Sequence, residues 1–142
     1  MKEPIEGNVP AAYRGLRNKP IRDDRGLPQA SMEAFLPDPR TSAARTDGGS
    51  EVSVNWHDDA GDVLAFTMTD KKNSQFGVAI LPEGQLRNLS AWNLQAAVTA
   101  ERDPLPGNPY HGNLVFRAGL SQQNIRMLAG LLAFVCQVKT RE

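Results

Sequence analysis

The segment from Ser121 to Val138 carries two apolar stripes at helical spacing: Ile125, Leu128, Leu132 and Val135 on one line, and Met127, Leu131, Phe134 and Val138 on another. One stripe seats a helix on a core, but two leave it apolar around most of its circumference, so it needs shelter on two sides. Ser121 supplies the N-cap, and Gly130 lowers helix propensity while admitting a close neighbour. The rest of the chain, or another chain, has to provide both covers. That requirement sets the fold class.

From Glu51 onward the pattern supplies a sheet. Val52, Val54 and Trp56 alternate with Ser53 and Asn55, the period of a half-buried strand. Phe76 to Leu81 is short and almost continuously apolar, as in a strand covered on both faces. Pro82 then sets a tight turn and Gln85 to Leu89 returns as a strand, followed by a strand in which Trp92, Leu94, Ala96 and Val98 alternate with polar or small residues. Asp103 to Asn113 reads as a turn-rich loop, after which Leu114 to Phe116 pairs back. Between Asp59 and Asp70 the helix and strand patterns nearly tie; a stripe of Ala60, Val63/Leu64 and Thr67/Met68 behind a capping Asp58 or Asp59 tips the reading to helix.

The first 50 residues hold six of the ten prolines, which disfavours long helices and central strands there. One helical turn fits Ser31 to Leu36, with Ser31 as N-cap and Phe35 inward, and apolar anchors such as Tyr13, Leu16 and Met32 favour docking over disorder. The expected architecture is therefore one α+β domain. Residues 1–50 form a Pro/Gly-rich extended N-terminal arm packed on the core, and residues 51–142 form a small, mainly antiparallel sheet packed by a long C-terminal helix.

Composition narrows the function. The 142 residues balance 16 Lys plus Arg against 16 Asp plus Glu, which argues against a globally basic nucleic-acid binder. The basic stretch Tyr13 to Arg25 is diluted by Asp23 and Asp24, so nucleic-acid contact is not favoured. No apolar run approaches the roughly 18 residues that cross a bilayer, and MKEPIEGNVP has no secretory h-region. The single Cys136 cannot form an internal disulfide, so a cytoplasmic setting is expected, and its apolar flanks suit core packing rather than nucleophilic chemistry. Neither a G-x-x-x-x-G-K-[ST] loop nor a G-x-G-x-x-G turn is present, and no cofactor is expected.

Two constellations remain. DPLPGNPYHGN, residues 103–113, stiffens its backbone with three prolines while presenting Asn108, Tyr110 and His111. Its Pro109-Tyr110-His111-Gly112 run is similar to the water-activating motif of uracil-DNA glycosylases, but Asn108 stands where that family has its catalytic Asp, and no later His-Pro-Ser segment follows. NWHDD places His57 beside Asp59 and Asp62; with His111 these are weak candidates for a divalent-metal site, and turn formation or helix capping suits the acids better.

The expected function is non-enzymatic: a small cytoplasmic adaptor or regulatory subunit acting through a protein-binding surface. Tyr110, His111, Asn108, Met127, Leu131 and Phe134 are the expected contacts, and the terminal helix would meet a protein partner or a second copy. The alternative is a small hydrolase or phosphodiester-acting enzyme, with His57 and His111 sharing acid and base duties and Arg14 or Arg117 holding an anion. The two readings differ in where they place the histidines. The enzyme needs both in one cleft beside an arginine.

Overall fold

The alternation around Trp56 does make a strand, and the remaining elements arrange themselves about it. In the structure, a computed structural model that describes residues 2–86 and 97–141, the chain runs β1 (Glu3–Pro4), β2 (Ala12–Gly15), β3 (Ile21–Arg22), β4 (Pro28–Gln29), a 3-10 turn (Met32–Phe35), α1 (Pro39–Ser42) and β5 (Ser50–Trp56). It continues through α2 (Val63–Thr69), β6 (Gly77–Leu81), β7 (Val98–Arg102), β8 (His111–Phe116), α3 (Gln122–Val135) and β9 (Gln137–Thr140). Among the described residues, seven strands form one antiparallel sheet in the order β1-β7-β8-β5-β2-β6-β9, packed by α3. The fold is α+β. Among the described residues no helix is long and apolar enough to cross a membrane.

Because paired residues share a face, the register sorts the sheet into two chemistries. Val52, Val54 and Trp56 of β5 share a face with Leu114 and Phe116 of β8, Ala100 of β7 and Ala12 of β2. These join Leu128, Ala129, Leu132 and Ala133 of α3 and Phe35 of the 3-10 turn in one buried core. Each fully buried Leu or Phe here contributes roughly 1.5–3 kcal/mol. The Met32–Phe35 turn packs along α3, so one segment of the first 50 residues does lie on the helix.

Several expectations need correction. Ala12–Gly15 is an interior strand between β5 and β6 despite the prolines around it; Pro10 and Pro20 flank the strand without entering it, so none of its ladder donors is missing. The last helix stops at Val135, and Val138 belongs to β9, where it pairs with Ala79. Gln85 and Leu86 are helical rather than extended. The cap of α2 is Asp62, whose carboxylate accepts from the Ala65 N–H at 3.0 Å, while Asp58 turns the chain by accepting from the Ala60 N–H. The remainder of the expected Gln85–Leu89 strand and the Trp92–Ala96 stretch lie outside the described residues.

The opposite face carries Glu51, Ser53 and Asn55 of β5, His111 and Asn113 of β8, and Glu101 of β7. At one end, Arg45 clamps this face. It bonds both oxygens of Glu101 at 2.8 and 3.0 Å and both of Asp47 at 2.8 and 3.1 Å, and reaches Glu51 at 3.4 Å. Lys2 approaches Glu51 at 3.7 Å, and Asn113 donates to Glu101 at 2.8 Å. Burial works against the Glu101 carboxylate, but the bonds from Arg45 and Asn113 outweigh it and hold its pKa below the usual value. Arg45 and the Gly49 N–H bring Asp47 down to about 2, and the Arg45 pKa rises in return.

Removing Arg45 leaves Glu101 and Glu51 buried with too little positive charge, so Arg45→Ala should cost about 3 kcal/mol in urea unfolding at pH 7. Carboxylates with depressed folded-state pKa values stabilise above their unfolded pKa and lose that contribution as pH falls through the folded one. The gap between wild type and Arg45→Ala should therefore narrow between about pH 4.5 and 2. A gap independent of pH over that window refutes the charge pairing.

Candidate functional site

The other end of the polar face is hollow. α2 and the 103–110 loop stand over it, and a cavity of about 450 Å³ opens between them. Tyr13, Arg14, Gly15 and Arg17 line it from β2 and the turn beyond, and Ser53 and Asn55 line it from β5. Phe66, Thr67, Asp70 and Asn73 come from α2 and its exit, and Asn108 and His111 close the far side. Asp38 and Glu51 stand at the margin with Arg17. Gly15 lets the Asn73 backbone close in, since a Cβ there would lie 2.6 Å from the Asn73 carbonyl oxygen.

A chain of amide and hydroxyl bonds fixes the far wall. Asn55 donates through Nδ2 to Thr67 Oγ1 at 2.9 Å and accepts at Oδ1 from Asn108 Nδ2 at 2.9 Å. Asn108 in turn accepts from the Tyr110 N–H at 3.1 Å. The Tyr110 ring packs edge-on against Phe66 with centroids 5.1 Å apart, and only a glycine fits beneath it, because a Cβ on Gly61 would sit 2.2 Å from its hydroxyl. Tyr110 braces the loop over α2 rather than standing free.

His111 is not in the loop but opens β8, paired with Asn55. Its Nδ1 lies 2.8 Å from the Asp103 carbonyl oxygen, with the Asp103 carboxylate 4.0 Å away. A carbonyl oxygen only accepts, so Nδ1 holds the proton and the Nε2 of the neutral ring keeps its lone pair.

Arg14 occupies the seam of the sheet. β2 pairs with β5 only at Ala12 and Tyr13 and then diverges, so Gly15 does not complete the ladder opposite Ser53. Arg14 Nη1 takes the Ser53 carbonyl at 2.9 Å instead, and Nε donates to the Ala34 carbonyl at 3.0 Å. Among the described residues Nη2 has no partner, and no carboxylate comes within the 4.0 Å of an ion pair. Burial, with help from neighbouring Arg17, lowers the Arg14 pKa to about 10 against a weaker opposing pull from Asp38. The side chain stays cationic at neutral pH and lacks a counter-ion in contact.

The other sequence candidates lie apart from this centre. His57 Nδ1 is 3.3 Å from the Tyr13 hydroxyl and its Nε2 is 3.3 Å from the exposed Asp59 carboxylate, but His57 does not line the cavity. Burial and Asp62 raise the Tyr13 pKa, so this phenol stays protonated. The two histidines face the same side of the sheet with different partners rather than sharing one. Arg117 lies six residues beyond His111 at the opposite end of β8, roughly 20 Å along the strand. Asp62 is committed to capping α2, and among the described residues no three His, Cys, Asp or Glu side chains converge as metal ligands. Burial pushes the Cys136 thiol up to about 12, which keeps it unreactive. Met127 and Phe134 are exposed on α3, on the far side of the sheet, with Leu131 half-buried between them.

Sequence reasoning did not single out Asn55, Phe66 or Thr67. The available signal was the polar half of the β5 alternation, which has to face something once the sheet is covered on both sides. The carbonyl bond makes its own prediction: long-range proton–nitrogen correlation spectra above the imidazole titration should show His111 as the Nδ1–H tautomer, and an Nε2–H spectrum contradicts the geometry.

No protein-family model, no curated protein and no solved structure matches this chain, so its function has to be argued from the cleft.

Proposed function

We propose that the cleft binds a small anionic ligand, with Arg14 as its charge partner and the His111 Nε2 as a hydrogen-bond acceptor. The observation that carries this reading is the charge in the seam: Arg14 is held by two carbonyl oxygens, and among the described residues its Nη2 has no partner and no carboxylate lies within ion-pair distance. Arg14 is half-buried, and a charge drawn back from water gains by pairing; an anion seated in the cavity would supply that pair. If the ligand is turned over, the chemistry is hydrolysis of an ester or phosphodiester, with His111 as the lone base and Arg14 holding developing negative charge. His57 is then an outlying support for Tyr13 rather than a second catalytic imidazole.

Inorganic phosphate is the simplest probe. Saturation at 100 times the dissociation constant should add roughly 2.7 kcal/mol of stability, read as a rise in the thermal midpoint that an equal ionic strength of chloride does not reproduce. Arg14→Lys should weaken the response by at least tenfold in concentration, since a point charge does not replace the guanidinium fork. An unresponsive wild-type protein rules out the anion site.

A second reading, a protein-binding adaptor, is favoured by α3. Phe134 is 70% and Met127 46% exposed on one apolar line with Leu131, a surface that suits a protein partner or a second copy. Changing Met127 and Phe134 together to Ser should leave the thermal midpoint within a degree or two and abolish any association seen by sedimentation. Association that survives the double change excludes this stripe as the contact.

A further inference from the structure

Resting on the anion-site reading, we infer that the ligand is a nucleoside monophosphate, with its phosphate at Arg14 and its base beside Phe66. The two ends of the cavity differ in chemistry. Arg14 Nη1 donates to the Ser53 carbonyl, which places the positive charge at the level of Ser53 on β5. Asn55 is two residues further along the same face, one pleat repeat or roughly 6.6–7 Å away, and there the cavity is walled by Phe66, Thr67 and Asn108. One pleat is about the span of a ribose between a phosphate and a base.

The groups at the second end suit a heterocycle. Phe66 offers an aromatic surface on which a base can stack. Asn55 Nδ2 and Asn108 Nδ2 each spend one N–H on the Asn55–Thr67 and Asn108–Asn55 bonds and keep another, while His111 keeps an acceptor at Nε2. Paired donors and an acceptor beside an aromatic ring are what reading the hydrogen-bonding edge of a base requires. Ser53 lines the cavity at the Arg14 end and Tyr13, paired with Asn55, lines it at the other.

The same lining limits the number of phosphates. Asp38, Glu51 and Asp70 also line the cavity, and among the described residues only Arg17 adds a second guanidinium to the wall. One phosphate satisfies Arg14, whereas a di- or triphosphate would press its further charges against the Asp38 and Asp70 carboxylates, Glu51 being paired with Arg45 and Lys2. A volume of about 450 Å³ also lies toward the small end of small-molecule sites, roughly 300–1,000 Å³, and suits a mononucleotide better than a dinucleotide.

Calorimetric titration of the full chain with AMP, GMP, CMP, UMP, ribose 5-phosphate, adenosine, inorganic phosphate and ATP tests the inference. At least one monophosphate should bind ten times tighter than ribose 5-phosphate, and ATP should bind more weakly than AMP. Phe66→Ala should erase the advantage of the base while leaving ribose 5-phosphate within twofold of wild type; Phe66→Leu provides a volume-keeping control should the alanine variant unfold. Equal binding of every monophosphate and ribose 5-phosphate overturns the nucleotide inference but leaves the anion site standing. Adenosine binding as tightly as AMP, or no binding by any phosphate compound, removes both.

Discussion

β5 lies in the interior of the sheet and carries three polar side chains on one of its faces, of which Glu51 is buried while Ser53 and Asn55 line the cleft. Glu51, Ser53 and Asn55 alternate with Val52, Val54 and Trp56. The apolar half joins α3 in the core; on the polar half the buried Glu51 must be satisfied within the protein, because an unpaired buried polar group costs about 1–3 kcal/mol, and the half-buried Asn55 is bonded as well. Two local structures answer that demand. Arg45 and Lys2 neutralise Glu51 at one end, and the Asn108 and Thr67 side chains satisfy Asn55 at the other. Ser53 lies between them with its backbone carbonyl taken by Arg14. The ion cluster and the cleft are two consequences of one pattern of alternation.

The contrast between the two arginines explains why one end reads as structure and the other as a site. Arg45 meets three carboxylates, and its geometry is closed: five hydrogen bonds engage its guanidinium. Arg14 meets two carbonyls, whose dipoles orient the guanidinium without cancelling its charge. Its depressed pKa expresses the same imbalance, since the loss of water around it, with Arg17 nearby, outweighs the pull of Asp38. A protein that needed Arg14 only as a plug for the seam would serve as well with a neutral donor.

What the sequence made legible was whatever depended on a single period. The terminal helix, the short strand in Phe76–Leu81 and the alternation of β5 rest on unbroken patterns and emerged with modest shifts in their ends. Val138 was misread because the apolar spacing continues by coincidence past Cys136, where Gln137–Thr140 alternates at period two and pairs with β6. His111 looked like a loop residue because the prolines of 103–109 dominate their surroundings, yet the ladder to β5 begins at His111 itself. Arg14 was visible as a candidate, but its partner in space was not. Nothing local says that β2 would leave β5 after two residues and hand a carbonyl to a side chain.

The remaining tension is between the cleft and the exposed stripe of α3, and the sheet resolves it. Tyr13, Asn55 and His111 face one side, while the core that seats α3 occupies the other, so the two surfaces do not compete for the same space. They remain mechanically linked through β5, whose residues alternate between them at every step. Trp56 sits in the core and donates its Nε1–H to the Glu101 carbonyl across Gly112, where a Cβ would lie only 2.2 Å from that nitrogen. A shift of α3 large enough to move Trp56 would therefore strain the junction of β5, β7 and β8 one residue from His111.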